Sequence, residues 1–229
     1  MLADFLHWMG LGLCHQLPER SFAAAGVQAP VCARDTGIYI GFTVALLLIA
    51  IMHRPARPRG FPRARVWMAM GLFIAFMAWD GVTSYAGLRA TTNEMRLITG
   101  LGVGFAVAAV LVPMLNDEVW KFADAGRVLD PVWRFALWLA ALPVAYAATL
   151  WLGPKLGVAF PVLIALCILF TLTAINLVIV SMLPVFDRRA ERLRDLVVPV
   201  AIALLVSFAE IALAGQLRLL LDRLAGLAG

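Results

Sequence analysis

Residues 37–65 read GIYIGFTVALLLIAIMHRPARPRGFPRAR, and this stretch decides the fold class. Its first part, 37–52, is a nearly unbroken apolar run, whereas 53–65 contains arginines at 54, 57, 59, 63 and 65 and no acid. An apolar run followed directly by a basic run is typical of a membrane-spanning helix that ends at the cytoplasmic surface. The sequence therefore predicts an integral membrane protein with 53–65 as a cytoplasmic loop.

The composition of the whole chain supports the same class. Hydrophobic residues make up 63% of the chain and charged residues 14%, and the mean hydropathy is +0.91. Soluble domains are usually about half apolar. At about 20 residues per span, a chain of 229 residues has room for roughly six helices and no separate soluble domain. We predict an all-α polytopic membrane helix bundle that forms one integral membrane domain over 1–229, with membrane lipids and not nucleic acid as its surroundings.

Hydropathy divides the chain into six predicted spans. They are Gly37–Met52, Val66–Gly87, Leu97–Leu115, Val132–Leu152, Val158–Leu183 and Leu196–Gly215. A second basic loop, 184–195, lies four spans after the first and therefore falls on the same side. Both loops, 53–65 and 184–195, are predicted to be cytoplasmic by the positive-inside rule, which places the protein in the cell (inner) membrane.

The two ends of the chain are predicted to lie beside the bundle. Residues 2–16 are too short for a comfortable span, and with Asp4 near the start they do not resemble a secretory signal. We expect a short or interfacial helix there that is retained. Leucines alternate with charged residues over 216–229, which predicts an amphipathic tail at the surface. The domain thus divides into 1–35 with the N-terminal helix and an outer motif loop, 36–215 with the transmembrane bundle, and 216–229 with the tail.

A dense polar cluster precedes the first span. Cys14, His15, Cys32 and Asp35 are the soft, imidazole and carboxylate groups that could hold a zinc-like ion. Alternatively, Cys14 and Cys32 could form a disulfide that joins the N-terminal helix to the first span, since both are predicted to be outside. A third possibility is that the cysteines are simply reduced. The spacing does not decide between these three.

Two carboxylates fall within predicted spans. Asp80 lies fourteen residues into its span, about 21 Å from the cytoplasmic surface, and Glu210 reaches a similar depth. Ionisable groups inside a membrane are costly and indicate a functional site. Asp80 is therefore one candidate acid or base group. Glu19, in the polar stretch before the first span, is the other.

Basic and amide side chains gather at the same outer level. Thr91 and Glu94 have the spacing of a capping box, so a helix should begin near Thr92, and Pro30 and Asp35 suit the first turn of the first span. Helix N-termini attract anions. The candidate anion-binding residues are Arg20, Arg34, Arg89, Asn93 and Arg96. The competing interpretation is that the arginines contact lipid head groups without specificity. His53, at the start of the first basic loop, is expected to be solvated.

Four segments resemble a known family. They are C-H-Q-L-P-E-R-S-F at 14–22, P-V-C-A-R-D-T-G-I-Y-I-G-F at 30–42, W-D-G at 79–81 and T-N-E-M-R-L-I-T-G-L-G-V-G at 92–104. Together they resemble a family of small bacterial and archaeal multi-pass membrane proteins of unassigned function, over roughly residues 10 to 105. In the family that the chain resembles, a second Cys often stands where this chain has Asp35. A carboxylate there can still ligate a metal but cannot form a C-x-x-C disulfide.

Three hypotheses of function remain from the sequence. The first is an enzyme that acts on an anionic lipid or isoprenoid-type head group at the outer face, assisted by a metal or by acid-base groups. The second is a small proton-coupled transporter that uses Asp80 and Glu210. The third is a noncatalytic subunit of a membrane complex or homo-oligomer that uses the outer motif for docking.

Overall fold

The computed structural model describes residues 1–226, and it shows an all-α polytopic bundle. Seven α-helices lie in this part of the chain, at Leu2–Leu11 (α1), Ala33–Met52 (α2), Ala64–Tyr85 (α3), Asn93–Val119 (α4), Val132–Trp151 (α5), Ala159–Ser181 (α6) and Val197–Leu224 (α7). Helices α2 to α7 are the six that are long and apolar enough to cross a membrane. The prediction of an all-α membrane bundle with six spans is confirmed.

Helix α4 is the centre of the bundle. It is buried along most of its length, whereas α3 and α5 expose most of theirs. Trp138 of α5 is fully buried, and its ring lies 5.6 Å from that of Phe105 on α4 and 5.9 Å from that of Phe73 on α3. Large side chains such as Leu72 and Val144 point outward. An outward apolar surface suits helices whose solvent is lipid.

Glycines make the contact between α2 and α4 unusually close. A Cβ atom on Gly37 would lie 2.3 Å from the Leu97 carbonyl oxygen, and one on Gly104 would lie 2.2 Å from the Ile38 carbonyl oxygen. Gly41 and Gly100 show the same closeness. Each helix thus carries a Gly-x-x-x-Gly pair, the spacing that lets two membrane helices approach to backbone contact. This seam holds the N-terminal end of α2, with Arg34 and Asp35, firmly against α4.

The loop between α1 and α2 contains a β-hairpin that was not predicted from the sequence. Strands Ser21–Ala24 (β1) and Val27–Cys32 (β2) pair antiparallel around Ala25 and Gly26, which both have positive φ. A two-residue turn of this kind matches the twist of the strands. The hairpin and the end of α1 form one end of the bundle with residues 85–92 and 152–158, which we call the motif face.

The opposite end of the bundle is the basic face, formed by residues 53–63, 120–131 and 182–196. Two short strands, Pro58–Gly60 (β3) and Asp124–Arg127 (β4), pair in parallel and join two of its loops. Asp130 accepts hydrogen bonds from Arg63 at 2.8 Å and Arg65 at 2.9 Å. The loops of this face are therefore ordered and are joined to one another by strand pairing and hydrogen bonds.

Two predicted helix limits differ from those in the structure. Helix α1 ends at Leu11 and not at residue 16, since the chain turns there to bring Cys14 to β2. Helix α7 continues to Leu224 without a break after Gly215, because Leu11 packs at Gly215 and Arg218 donates a hydrogen bond to the Cys14 carbonyl. The predicted tail 216–229 is mostly the end of this helix, and its last three residues lie outside the described chain.

Candidate functional site

A cavity of about 460 Å³ opens at the motif face, and we call it the motif cavity. Its wall is made by Leu13, Cys14, His15, Gln16, Leu17, Arg20, Cys32, Arg34, Asp35 and Tyr85. These residues come from the turn after α1, the end of β2, the first turn of α2 and the end of α3. The polar cluster that the sequence singled out therefore surrounds an open space of ligand size.

Gln16 fixes the turn that carries Cys14. Its side chain is buried and donates to the carbonyl oxygens of His7 at 2.8 Å and Pro30 at 2.7 Å. The backbone carbonyl of Gln16 accepts a hydrogen bond from the side-chain amide of Gln28 at 2.8 Å. The φ of Gln16 is 54°, which reverses the direction of the chain. Gln16 was not predicted as a site residue. The one signal for it in the sequence is its position next to Cys14 and His15. Gln16 joins α1 to β2 and so sets the distance between the two cysteines.

Three potential metal ligands meet in the cavity wall. The sulfur atoms of Cys14 and Cys32 and a carboxylate oxygen of Asp35 all lie within 4.8 Å of one another. The Cys32 amide donates to the Cys14 sulfur at 3.2 Å, and the Cys32 thiol donates to Asp35 Oδ2 at 3.2 Å. Three of the four predicted ligands are thus brought together. The structure leaves the two cysteines as separate thiols, so a disulfide stays a prediction.

The two thiols differ in acidity. Hydrogen bonding from Cys32 lowers the pKa of Cys14 to about 7, against the opposing effect of its partial burial. The same interaction, together with burial and the charge of Asp35, raises the pKa of Cys32 above its ordinary value. Of the two thiols, Cys14 therefore has the lower pKa, and the thiolate is the form that binds metals.

His15 does not join this group. Its side chain is exposed and lines the rim of the cavity, and its ring is not among the clustered ligand atoms. Adjacent residues in this turn point in different directions, which explains why Cys14 faces inward and His15 outward. The prediction that His15 belongs to the same metal site is not supported by this geometry.

Two of the predicted arginines reach the cavity. Arg20 is the less constrained, since its nearest carboxylate is Glu19 at 3.9 Å, and its guanidinium lies 6.0 Å from the Tyr85 ring. Arg34 lines the cavity and also donates to Asp80 Oδ2 at 2.5 Å. Tyr85 was not a predicted site residue, because a tyrosine at a span end suits interface anchoring equally well. The cavity thus holds positive charge beside the thiols.

Asp80 lies behind the cavity wall and not in it. Its side chain is fully buried, and it accepts hydrogen bonds from Arg34, Arg89 and Thr91. Both carboxylate oxygens are occupied by these donors. Asp80 does not line the motif cavity, but it contacts Arg34, which does. Its role as an acid or base stays a prediction.

The remaining predicted residues lie around the cavity. The Glu19 side chain is exposed on the turn before β1, and its carbonyl oxygen accepts from Asn93 at 3.3 Å. Arg89 stacks 4.4 Å from the Trp79 ring while it pairs with Asp80. Arg96 donates to Asn93 Oδ1 at 3.1 Å and is close enough to Arg20 and Arg34 for their charges to interact. None of these four lines the motif cavity.

The cap of α4 differs from the predicted capping box. The Thr92 hydroxyl accepts from the Met95 amide at 3.3 Å, which makes Thr92 the N-cap residue. Thr91 turns the other way and donates to Asp80 at 2.6 Å. The predicted Thr91 and Glu94 pair is therefore wrong, since the buried carboxylate recruits Thr91.

Glu210 is held at a different place. On α7, it accepts a hydrogen bond at 2.7 Å from Asn176 of α6, and Asn176 also donates to Ser207 at 3.0 Å. Glu210 does not line the motif cavity, and Asp80 contacts none of these residues. The two carboxylates that a proton-coupled transporter would use thus belong to separate polar groups.

Comparison with known proteins places the cavity in a shared segment. Residues 14–110 match the model of a family described as "Predicted membrane protein (DUF2085)". An uncharacterized protein of Methanocaldococcus jannaschii is 36% identical over 109 residues, which are 48% of this chain and 67% of the relative. An uncharacterized protein of Methanothermobacter thermautotrophicus is 41% identical over 108 residues, which are 47% of this chain and 90% of the relative. No solved structure matches the chain.

Proposed function

Because the chain belongs to the DUF2085 family of predicted membrane proteins, and the segment that matches the family contains the polar groups of the motif cavity, we propose that this cavity is the functional site. In this proposal, Cys14, Cys32 and Asp35 hold a zinc-like ion, and the neighbouring arginines bind an anionic head group. The observation that carries it is the set of three ligand atoms within 4.8 Å of one another at the wall of an arginine-lined cavity.

The charges of the basic face support the proposed orientation. Loops 53–65 and 184–195 are rich in arginine, and such loops remain on the cytoplasmic side of a membrane. In a cell membrane the motif cavity then faces outward, at the level of the outer head groups. The ligand would therefore be a lipid or isoprenoid-type molecule with a phosphate or carboxylate head.

The ligand set suits zinc in type and in number. Zinc binds thiolate at about 2.3 Å and carboxylate at about 2.0–2.2 Å, so tetrahedral ligands lie about 3.5 Å apart. The observed group, within 4.8 Å, needs only small side-chain movements to reach that geometry. Three protein ligands leave one position open, which is typical of catalytic and not of structural zinc.

The division of labour in the cavity follows from these contacts. A divalent ion would supply a Lewis acid beside the bound head group. Arg34, fixed by Asp80, and Arg20, whose nearest carboxylate is Glu19 at 3.9 Å, would hold the anion by charge-assisted hydrogen bonds. Tyr85 would cover the ligand from the side of α3. The reaction class that this favours is metal-assisted chemistry on a phosphate-bearing head group.

Metal analysis of the purified full-length chain, combined with thiol counting before and after reduction, tests the metal site. We expect about one zinc per chain. Cys32→Ser and Asp35→Asn should lose most of it, because two remaining ligands bind zinc weakly. The matched control is Cys167→Ser, which changes the buried cysteine of α6, away from the cavity.

Another result would contradict the metal site. If no metal copurifies and two thiols appear only after reduction, Cys14 and Cys32 form a disulfide and the zinc proposal is wrong. His15→Ala separates the predicted four-ligand site from the three-ligand site seen here. Retention of zinc in that variant supports three ligands.

Arg20→Gln should weaken binding of the anionic ligand. The loss of a hydrogen bond to a charged group costs about 1.5–3 kcal/mol, or about 10- to 100-fold in affinity. Binding of a short-chain phosphatidic acid to detergent-solubilised protein, followed by tryptophan fluorescence, measures this. Arg223→Gln, at the end of α7 and outside the cavity wall, is the control. Equal affinity in Arg20→Gln and wild type would show that the arginines of this face bind head groups without specificity.

A further inference from the structure

A second cavity, of about 420 Å³, lies at the basic face, and we call it the basic-face cavity. It is bounded by the end of α2, the loop that follows it, the last turns of α4 and the short turn before α7. This cavity is at the opposite end of the bundle from the motif cavity and shares no residue with it. Its function is independent of the one proposed above.

Two arginines of this cavity have no acidic partner among residues 1–226. Arg54 and Arg57 both line it, and neither takes part in an ion pair. Their loop neighbours are paired: Arg59 lies 3.7 Å from Asp117, and Arg63 and Arg65 contact Asp130. The positive charge of the loop is therefore left uncompensated where the loop borders the cavity.

His53 adds no charge to this cavity. Contrary to the expectation that it is solvated, it is buried, and its Nε2 accepts from the Leu129 amide at 3.2 Å. Burial, aided by the charge of Arg134, lowers the pKa of His53 to about 4, although Asp124 opposes this shift. The imidazole is thus neutral near pH 7. Among the described residues that line this cavity, Arg54 and Arg57 are the ones with positive charge.

Arg57 is held in a fixed position. Its guanidinium carbon lies 3.3 Å from the centre of the Trp120 ring, and its carbonyl accepts from the Asp124 amide at 2.9 Å. Stacking on a ring face leaves the N–H groups free in the plane of the guanidinium. Such a planar fork matches the oxygens of a phosphate.

The rest of the wall is largely apolar. Ile49 of α2, Val112 of α4 and Leu193 of the turn before α7 lie beside the arginines. A ligand that fits both parts has a phosphate group and an alkyl chain. Basic pockets between membrane helices on the cytoplasmic side are typical binding sites for acidic lipid heads.

We infer that the basic-face cavity binds the phosphate head group of an anionic phospholipid, with Arg54 and Arg57 on the phosphate and the apolar wall along the first part of an acyl chain. The bound lipid would join the ends of α2 and α4 to the turn before α7. It would therefore stabilise the cytoplasmic end of the bundle.

Thermal unfolding of the full chain in detergent tests this inference. The protein is washed free of lipid and then titrated with short-chain phosphatidylglycerol, short-chain phosphatidylcholine or inorganic phosphate. All variants carry Arg20→Gln as well, so that the motif cavity contributes little to the response. A ligand that binds only the folded state raises the midpoint of unfolding.

Phosphatidylglycerol should raise the unfolding midpoint, and phosphatidylcholine should not. Arg57→Gln and Arg54→Gln should each require about tenfold more phosphatidylglycerol for the same shift, since each removes a charge-assisted contact. Arg59→Gln, in the same loop but paired with Asp117, should stay within about twofold of its parent. Because Arg54 does not stack on Trp120, its variant keeps the test valid even if Arg57→Gln folds poorly.

Two results would overturn the inference. One is an equal response of Arg54→Gln, Arg57→Gln and Arg59→Gln, which would mean that the basic face binds lipid only through its overall charge. The other is a shift with inorganic phosphate that depends on Arg57 as strongly as the shift with lipid, which would identify a soluble phosphate compound as the ligand. Neither result bears on the metal and thiol measurements for the motif cavity.

Discussion

Asp80→Asn is expected to lower the free energy of unfolding by about 3 kcal/mol, because it leaves two partly buried arginine charges without a counter-charge. Asp80 is fully buried, and Arg34 and Arg89 both pair with it. Asparagine keeps the size and shape of the side chain but not its charge. Chemical or thermal unfolding of the detergent-solubilised protein measures the loss, which is a large part of the stability of an ordinary domain.

The matched control for Asp80→Asn is Asp117→Asn. Asp117 also contacts two arginines, Arg59 at 3.7 Å and Arg188 at 3.2 Å, but all three side chains are partly exposed. Exposed ion pairs contribute about 1 kcal/mol or less, so this variant should remain close to wild type. An equally small effect of both variants would show that solvent or lipid head groups reach Asp80 and that it does not anchor the arginines.

A double variant separates lost charge balance from lost packing. In Asp80→Asn with Arg89→Gln, one of the two unpaired charges is removed, so part of the stability should return. Asp80 positions Arg34 at the motif cavity, and the double variant does not restore that contact. Binding of the short-chain phosphatidic acid to the motif cavity should therefore remain weak. Recovery of both stability and binding would assign the orientation of Arg34 to some other contact.

Gly104→Ala is the second change with a large expected effect. Its Cβ would lie 2.2 Å from the Ile38 carbonyl oxygen and 2.6 Å from the Phe42 amide nitrogen, both of them backbone atoms of α2. Backbone atoms in a helix cannot rotate away as a side chain can, so α2 and α4 must separate. Overpacking of this kind costs about 1–3 kcal/mol, and the loss of the close contact along the seam adds to it.

Gly71→Ala on α3 is the control for the seam. A Cβ at Gly71 meets no atom within 4 Å, so the extra methyl group has space. Alanine favours a helix over glycine by about 1 kcal/mol, and this variant should be neutral or more stable than wild type. Unfolding of both variants in the same detergent compares them directly. Similar losses in Gly71→Ala and Gly104→Ala would refute the role of the seam.

The positions of the spans could be predicted because hydropathy is a local property. The predicted span Val132–Leu152 compares with α5 at Val132–Trp151, and Val66–Gly87 compares with α3 at Ala64–Tyr85. A lipid environment requires each crossing segment to satisfy its own backbone as a helix. Composition and length therefore suffice for the number and the approximate limits of these helices.

The sequence predicted which residues form the candidate site better than it predicted their arrangement in space. Cys14, Cys32 and Asp35 stood out as unusual polar residues in an apolar chain, and the structure brings them together. The sequence could not show that Asp80 faces Arg34 and Arg89 and not the cavity, since four arginines of the outer level were equivalent by position. Gln16 and the glycine seam were missed because their roles depend on contacts with distant backbone.

The amino-acid sequence by itself determined that this chain is a membrane bundle of six spans, and that its unusual polar residues lie at one end and most of its arginines at the other. These are properties of residues and their neighbours in the chain. Only the tertiary structure decided which charges compensate each other and which remain free at a cavity. The reason is that ion pairing and close packing depend on distances between helices, and those are set by the contact of α2 with α4 and of β2 with α1.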